Sequence, residues 1–143
     1  MPIKPENRTL YPGGSPTSPE WKAIRDRILD REDNACKWCK APNYQWIWRS
    51  RDRKSYMLAE GAVFDSETGE TFGVVRGSEY PGDAMVQVIL TIAHLDQDPQ
   101  NNDDENLAAL CQRCHNRHDA PHRAKNAAKT RHAKKSDGDL FGY

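Results

Sequence analysis

The chain has 143 residues, of which 36% are hydrophobic and 29% are charged, so we expect one small domain with tails whose core needs an additional constraint. The formal net charge is zero, so the total charge alone does not predict a polyanionic partner. The charges are unevenly placed, however. Residues 111–135 hold eight Lys/Arg and one acid, whereas residues 95–110 hold five acids and no Lys/Arg. A neutral total therefore conceals a basic end beside an acidic loop.

Two features of the sequence bear on the cellular compartment. No apolar run approaches the roughly 18–20 residues that are needed to span a bilayer. The sequence begins Met-Pro-Ile-Lys-Pro-Glu, which lacks the apolar core of a signal peptide. Without an export signal, disulfides are the less favoured use of the cysteines. We therefore expect a cytoplasmic protein with no membrane association.

The first 31 residues are predicted to form a lead and a helix. Residues 1–17 are rich in proline and glycine and predict a disordered or extended N-terminal segment, with Leu10-Tyr11 as the expected docking point. A helix is predicted from Ser18 to about Arg31. Ser18 can cap its N-terminus, Pro19 suits its first position, and apolar residues follow at near-helical spacing. The expected role of this helix is packing.

Residues 40–83 are harder to interpret. Alternation over residues 44–48 predicts a strand, and basic residues follow at 49–54. Aromatic residues interleaved with arginines can stack on bases and hold phosphates, although a half-buried strand with solvated charges is the favoured interpretation. Three short apolar pieces separated by glycines predict hairpins at residues 57–58, 62–64 and 72–75.

The last part of the chain predicts a strand, a loop and helices. Residues 84–94 are rich in β-branched and apolar residues and should form the main strand, ending at His94. Residues 96–105 have turn composition, and residues 106–110 are a short apolar segment that leads into Cys111. A helix should begin near Cys114, break at Pro121 and restart to about residue 135. Residues 136–143 are predicted to be a tail.

All four cysteines of the chain lie in two Cys-x-x-Cys pairs, Cys36 with Cys39 and Cys111 with Cys114. Two residues within each pair allow a tight turn that points both sulfurs at one ion, so the four thiols form the ligand set of a structural zinc site. Such a site has no open coordination position and cannot activate water. Zn²⁺ is therefore the predicted structural cofactor, and its binding energy contributes to folding.

Three histidines lie close to these elements. His94 ends the predicted strand, where a neutral imidazole can accept a proton from water. His115 directly follows Cys114, and His118 comes three residues later, on the same face if the segment is helical. A second, hard divalent ion would need oxygen or imidazole ligands and would polarise a phosphate.

These residues together resemble the HNH endonucleases of the zinc-containing ββα-metal kind, which occur in many phage and bacterial genomes. The resemblance is carried by the upstream cysteine pair and by three short motifs, Ala93-His94-Leu95, Asn106-Leu107 and Cys111-x-x-Cys114-His115. It covers about residues 36–39 and 84–122. It implies an α+β fold in which a ββα-metal HNH core is stapled by the four-cysteine zinc site. An N-terminal helix and a basic C-terminal helix complete a single domain over residues 18–135.

The resemblance implies a metal-dependent DNA endonuclease that hydrolyses phosphodiester bonds. His94 matches the general base that activates water, and Asn106 matches the asparagine that holds the loop and orients the base. His115 matches a ligand of the catalytic ion, which would be Mg²⁺ or Mn²⁺. His118 is a further candidate ligand or a phosphate contact.

One position departs from the family pattern. Many members carry an aspartate or histidine directly before the catalytic histidine, and that residue is a second ligand of the catalytic ion. Here the position is Ala93, which cannot coordinate a metal. The ion would then need His118, Asp96, water or a substrate phosphate.

DNA is the implied partner, bound mainly through its phosphate backbone. Six basic residues are the candidate phosphate contacts, with a plain solvated face as the alternative: Arg113, Arg117, Arg123, Lys125, Lys129 and Arg131. Two cuts in a duplex would suit a homodimer, and a larger protein machine is the other partner considered. Two other functions stay open, namely a catalytically weak or inactive nucleic-acid-binding module and a phage packaging accessory.

Overall fold

A computed structural model describes the backbone of residues 5–140 and the side chains of residues 7–131. Over these residues the protein has the predicted α+β class, with two long helices and mostly antiparallel strands. The core lies where the N-terminal helix, the larger sheet, a small hairpin and the cysteines meet. No helix in the described part of the chain is long and apolar enough to cross a membrane.

The N-terminal segment is folded where it is described, which differs from the disordered or extended segment predicted for residues 1–17. Helix α1 (Pro5–Arg8) is followed by a 3-10 turn (Pro12–Gly14). The physical reason is the docking of Tyr11, whose ring lies 5.0 Å from that of Trp21 at an interplanar angle of 77°. Residues 1–4 lie outside the described residues.

The second helix, α2 (Pro19–Arg31), begins and ends where the sequence predicts. The hydroxyl of Ser18 accepts a hydrogen bond from the Trp21 N–H at 3.1 Å, so the predicted cap is present. Trp21 and Ile28 are buried and face the core, which confirms the packing role of this helix.

The larger sheet, called the main sheet below, fills the region that was hardest to interpret from sequence. Its strands are β1 (Trp46–Ser50), β2 (Ser55–Leu58), β3 (Ala62–Asp65), β4 (Thr71–Val74) and β5 (Gly82–Gln87). They are antiparallel in the order β4-β3-β2-β1-β5. The predicted first strand and the predicted hairpins are confirmed. Ile47, Arg49 and Tyr56 point from this sheet into the protein and are buried.

Strands β6 (Thr91–His94) and β7 (Leu107–Leu110) form a separate antiparallel hairpin. The prediction of one strand over residues 84–94 is therefore wrong, because the segment supplies β5 to the main sheet and β6 to the hairpin. The chain crosses between the two sheets at Val88, whose carbonyl accepts the Tyr44 N–H at 2.7 Å, and at Leu90, whose N–H donates to the Asn43 side chain at 3.0 Å. From Thr91 onward the chain pairs with β7 and no longer with the main sheet.

Helix α3 (Gln112–Leu140) runs without interruption through Pro121, so the predicted break is wrong. Proline removes one helical hydrogen bond, and here the acceptor that loses it, the carbonyl of Arg117, belongs to an exposed part of the helix where water can reach it. The helix also includes residues 136–140, which were predicted to be tail. Residues 141–143 lie outside the described residues.

Candidate functional site

The first cysteine pair lies in the loop after α2. The Cys36 N–H donates to the carbonyl of Ala41, and the Lys40 N–H donates back to the carbonyl of Cys36, each at 2.9 Å. The hydroxyl of Tyr56 donates to the Cys39 carbonyl at 2.5 Å. Gly69 (φ 72°) lies so near that an added Cβ would be 2.7 Å from the same carbonyl oxygen. The main sheet therefore holds this turn in place.

The second cysteine pair joins the hairpin to α3. Cys111 directly follows β7, and Cys114 lies in the first turn of the helix. The Cys114 N–H points at the Cys111 sulfur at 3.5 Å, and the His115 N–H donates to the Cys111 carbonyl at 2.9 Å. The two cysteine pairs are linked through the backbone, because the Lys37 N–H donates to the carbonyl of Ala109 in β7 at 2.8 Å.

The four cysteines form one buried cluster that can hold a metal ion such as zinc. Their Sγ atoms all lie within 4.8 Å of one another, and those of Cys39 and Cys111 are 3.6 Å apart. All four are free thiols and at most 3% exposed. A tetrahedral zinc with bonds of about 2.3 Å places its sulfurs about 3.8 Å apart. The spacing therefore fits zinc, and the predicted clustering of the four residues is confirmed.

Hydrogen bonds among the four thiols shift their pKa values in opposite directions. The bond with Cys111, the first cause in each case, lowers the pKa of Cys36 and raises the pKa values of Cys39 and Cys114. Arg49 is 7% exposed, and its Nη2 atom lies 3.9 Å from the Cys111 sulfur. Its Nη1 atom is buried without a hydrogen-bond partner among the described residues. A zinc ion held by four thiolates would carry a net negative charge, which would compensate this buried guanidinium.

His94 lies at the end of β6, as predicted, and three residues fix its ring. The indole of Trp21 stacks on it with ring centroids 5.5 Å apart, and Tyr11 contacts it edge-on at 5.7 Å. The Nε2 atom of His94 lies 2.9 Å from the side-chain oxygen of Asn102. The Asn102 amide nitrogen donates at 3.3 Å to the backbone carbonyls of two preceding residues, Pro99 and Gln100, so the oxygen faces His94.

Asn106 holds the loop between β6 and β7. Its side-chain oxygen accepts the Asp96 N–H at 3.0 Å. Its amide nitrogen donates to the Asp96 carboxylate at 2.9 Å and to the Asn101 carbonyl at 2.8 Å. The Asp96 carboxylate also accepts the Asp98 N–H and the Asn101 side chain. Asp96, considered above as a replacement metal ligand, is thus occupied with the hydrogen bonds of its own loop.

His115 belongs to a network between β6 and α3. Its Nδ1 atom lies 2.5 Å from the hydroxyl of Thr91, and its Nε2 atom lies 3.2 Å from a carboxylate oxygen of Asp119. The other Asp119 oxygen accepts the Gln97 side chain at 3.1 Å. Burial lowers the pKa of His115 below its ordinary value, and the carboxylate of Asp119 opposes this shift.

His118 contacts different groups from those that His115 contacts. Its Nε2 atom lies 3.0 Å from the Leu95 carbonyl, and its ring contacts that of Trp38 at 5.7 Å. Among the side chains of residues 7–131, the four cysteines are the only group of three or more His, Cys, Asp or Glu whose ligand atoms lie within 4.8 Å. The predicted pair His115 and His118 is therefore not assembled with His94 into a three-residue ligand cluster.

The six basic residues predicted to contact phosphates fall into two groups. Arg113 donates to the Ser66 carbonyl at 2.9 Å, and Arg117 forms a salt bridge with Glu67 at 2.6 Å. Both therefore attach α3 to the turn after β3. The other four lie on the exposed part of α3, and these are Arg123, Lys125, Lys129 and Arg131.

Four residues near the site were not predicted from the sequence. Two of them have a sequence pattern that could have indicated their position, and two have none. Asp119 stands four positions after His115, a spacing that places both on one helix face. Arg49 stands two positions after the buried Ile47 in a strand, which is a signal for an inward side chain. Trp21 and Asn102 reach His94 only through the tertiary fold, and nothing in their local sequence indicates it.

Comparisons of the chain with protein-family models, with curated proteins and with solved structures found no match. The likeness to HNH endonucleases thus stays a resemblance of short motifs. Any assignment of activity depends on the chemistry of the residues described above. The relevant parts are the cysteine cluster, the fixed imidazole of His94 and the His115–Asp119 pair.

Proposed function

We propose that the protein is a metal-dependent DNA endonuclease of the HNH kind, with His94 as the general base. The observation that carries this proposal is the combination of a fixed histidine at the end of β6 with the His115–Asp119 pair on the adjoining helix. The four-cysteine cluster positions the helix and takes no part in the chemistry, because a four-thiolate zinc has no open coordination position.

The hydrogen bond of His94 supports the proposed role of this residue as a base. An amide oxygen can only accept, so the Nε2 atom that faces Asn102 carries the proton. The Nδ1 atom then keeps its lone pair and can take a proton from water. The resulting hydroxide attacks phosphorus, the bond between phosphorus and the leaving oxygen breaks, and the leaving oxygen takes a proton from water. Trp21 and Tyr11 restrict the ring to one orientation, which favours a productive geometry.

The His115–Asp119 pair is the proposed holder of the catalytic ion and replaces the ligand that is missing at Ala93. The Nε2 atom of His115 and a carboxylate oxygen of Asp119 are 3.2 Å apart. Adjacent ligands of an octahedral ion with bonds of about 2.1 Å are separated by about 3 Å, so both atoms suit one Mg²⁺ or Mn²⁺. Such an ion, if bound by His115 and Asp119, would supply charge stabilisation for the phosphate and the leaving oxygen.

The DNA-binding part of the proposal depends on the exposed half of α3. Lys125, Lys129 and Arg131 have no salt-bridge partner among the described residues. Contacts of such residues with phosphates give an affinity that falls with salt and depends little on sequence. Arg113 and Arg117 are weaker candidates, because both already bind groups of the same chain.

The test is the nicking of supercoiled plasmid with Mg²⁺ or Mn²⁺. His94→Ala should lower the rate by about 10²–10⁴-fold, since it removes the general base. Asp119→Asn should raise the Mn²⁺ concentration needed for half-maximal activity. His122→Ala is the matched control, because His122 is exposed and bonds only to Asn126 one turn further along α3. If His94→Ala nicks as fast as the natural protein, the nuclease proposal fails.

One other outcome points to a different function. If the natural protein binds plasmid in a salt-dependent manner but nicks it with neither ion, the binding-module alternative replaces the nuclease. The substitution Lys129→Gln should then weaken binding, while the fold stays intact by circular dichroism.

A further inference from the structure

Strand β4 forms one edge of the main sheet and is exposed along its whole length. Phe72 is 58% exposed and Val74 is 75% exposed, although both are large apolar residues. Residues 71–75 include no charged residue. Exposed apolar edge strands without charges are sites at which another strand pairs, because their outward N–H and C=O groups have no partner.

The hydrogen bonds of β4 identify which backbone groups point outward. The Val75 N–H donates to the Gly61 carbonyl at 2.9 Å, so Val75 faces β3. Because antiparallel strands alternate, the N–H and C=O of Val74 face away from the sheet. A register shift between Val63 and Phe64 makes Phe72 the extra residue of a bulge, where its N–H is directed at β3 and its carbonyl faces away. Gly73 lies beside this bulge with φ 103°, and its N–H donates to the Thr71 hydroxyl at 3.2 Å. A new strand would therefore meet the N–H and C=O of Val74 and the carbonyl of Phe72.

We propose that β4 pairs antiparallel with β4 of a second copy of this chain, with Gly73 of each copy at the two-fold axis. In this register Phe72 of one copy lies opposite Val74 of the other, and the Val74 N–H of each copy donates to the outward Phe72 carbonyl of its partner. Antiparallel backbones approach to about 4.5 Å at positions that exchange no hydrogen bond, and Gly73 suits that position. A Cβ built on Gly73 would meet nothing within 4 Å, so the space beside it is open.

Charge complementarity identifies a second copy as the occupant. The strand is flanked by Glu70 on one side and Arg76 on the other, and both are exposed. Neither forms a salt bridge within the described part of the chain. In the register centred on Gly73, Glu70 of each copy lies opposite Arg76 of its partner, which gives two ion pairs. A closed two-fold interface of this kind needs one self-complementary surface, and this strand provides it.

The dimer is independent of the proposed nuclease, since β4 contributes no residue to the cysteine cluster or to the surroundings of His94. The experiment is sedimentation equilibrium of the full chain, whose monomer mass is 16.3 kDa. Twice that mass is expected as the protein reaches about 100 μM, a range suited to a small interface. A monomer throughout that range would overturn the proposal.

Charge reversal then tests the register. Glu70→Arg and Arg76→Glu should each raise the dimer dissociation constant on the order of tenfold, because each replaces two attractive pairs with two repulsive ones. The double variant should restore dimerisation, and no restoration would overturn the register. Asp26→Arg, on the exposed face of α2, is the matched control and should leave the dissociation constant unchanged.

A backbone variant provides a separate test. Val74→Pro removes an outward N–H that β3 does not use, so the sheet should keep its fold while the dimer is lost. Circular dichroism checks the fold of this variant. A folded Val74→Pro protein that dimerises as strongly as the natural chain would show that another surface forms the dimer.

Discussion

The indole of Trp21 and the imidazole of His94 are stacked, with ring centroids 5.5 Å apart and planes inclined by 13°. Trp21 belongs to the first turn of α2, whereas His94 ends β6, so the stack joins the N-terminal helix directly to the proposed base. Tyr11 extends the contact to the segment before α2, because its ring lies edge-on to both. The N-terminal part of the protein is thus part of the candidate site.

We expect Trp21→Leu to lower the nicking rate strongly while the protein stays folded. Leucine fills part of the buried space but offers no ring for the imidazole, and a misplacement of about 1 Å can cost on the order of 10²-fold in rate. Trp21→Phe keeps an aromatic surface and is the matched control. The measurements are plasmid nicking and thermal unfolding. Equal nicking by the leucine and phenylalanine variants would show that the stack is only a packing contact.

Removal of the metal should unfold the protein. Cys36 and Cys111 come from distant parts of the chain, and an ion that joined them would contribute its binding energy to folding. We expect one zinc per chain by elemental analysis, and loss of secondary structure on addition of a strong chelator. Cys36→Ser should cause the same loss of secondary structure without added chelator. A Cys36→Ser protein with the thermal stability of the natural chain would contradict a shared four-cysteine site.

Arg49 should be needed for retention of zinc. Removal of one partner from a buried charge pair costs about 3–5 kcal/mol, so Arg49→Met should both destabilise the fold and release metal more readily. Arg49→Lys keeps the charge, so its stability and its zinc release should lie between those of the natural protein and those of Arg49→Met. The checks are the unfolding midpoint and the rate of zinc transfer to a colorimetric chelator. Unchanged transfer from Arg49→Met would show that the guanidinium does not compensate the thiolates.

The loop after β6 should loosen in acid. The hydrogen bond from Asn101 first, and further bonds from Asp98 and Asn106, lower the pKa of Asp96 below its ordinary value of 3.8. Because the folded pKa is lowered, the stabilising contribution is fully present above that ordinary value and is lost as the pH falls through the folded pKa. The pH dependence of the loop amide signals in NMR measures this.

The hydrogen bonds of the same loop can also be tested at neutral pH by a substitution. Asn106→Ala removes three hydrogen bonds and should cost about 1–3 kcal/mol, with faster proteolysis inside the loop as the local readout. Asn116→Ala is the control, because the Asn116 side chain is exposed on α3. Equal cleavage of the two variants would show that Asn106 does not hold the loop.

The parts of the fold that sequence predicts are those with local physical causes. Ser18 and Pro19 mark the start of α2 because capping is settled within one turn. The two cysteine pairs predict their cluster because metal ligation requires fixed spacing within each pair. The small apolar pieces between glycines predict β2 to β4 for the same reason, since strand and turn chemistry are local.

The parts that sequence does not predict depend on long-range contacts. Residues 84–94 look like one strand, and only the hydrogen bonds of Val88 and Leu90 with the turn before β1 divide them between two sheets. Pro121 indicates a break, yet the solvated position of the lost acceptor lets α3 continue. The stack on His94 joins residues far apart in sequence, so no local pattern contains it.

The uninterrupted course of α3 has a mechanical consequence. The helix starts beside Cys111, carries His115 and Asp119 in its early turns, and presents exposed basic residues as far as Arg131. At about 1.5 Å per residue, Arg131 lies about 26 Å along the axis from Cys114. A tilt of about 10° at the cysteines would therefore displace Arg131 by about 4–5 Å, more than the length of a hydrogen bond to a phosphate. The orientation of α3 at the cysteine cluster thus sets the direction in which these basic residues point, and a metal bound there would fix that direction.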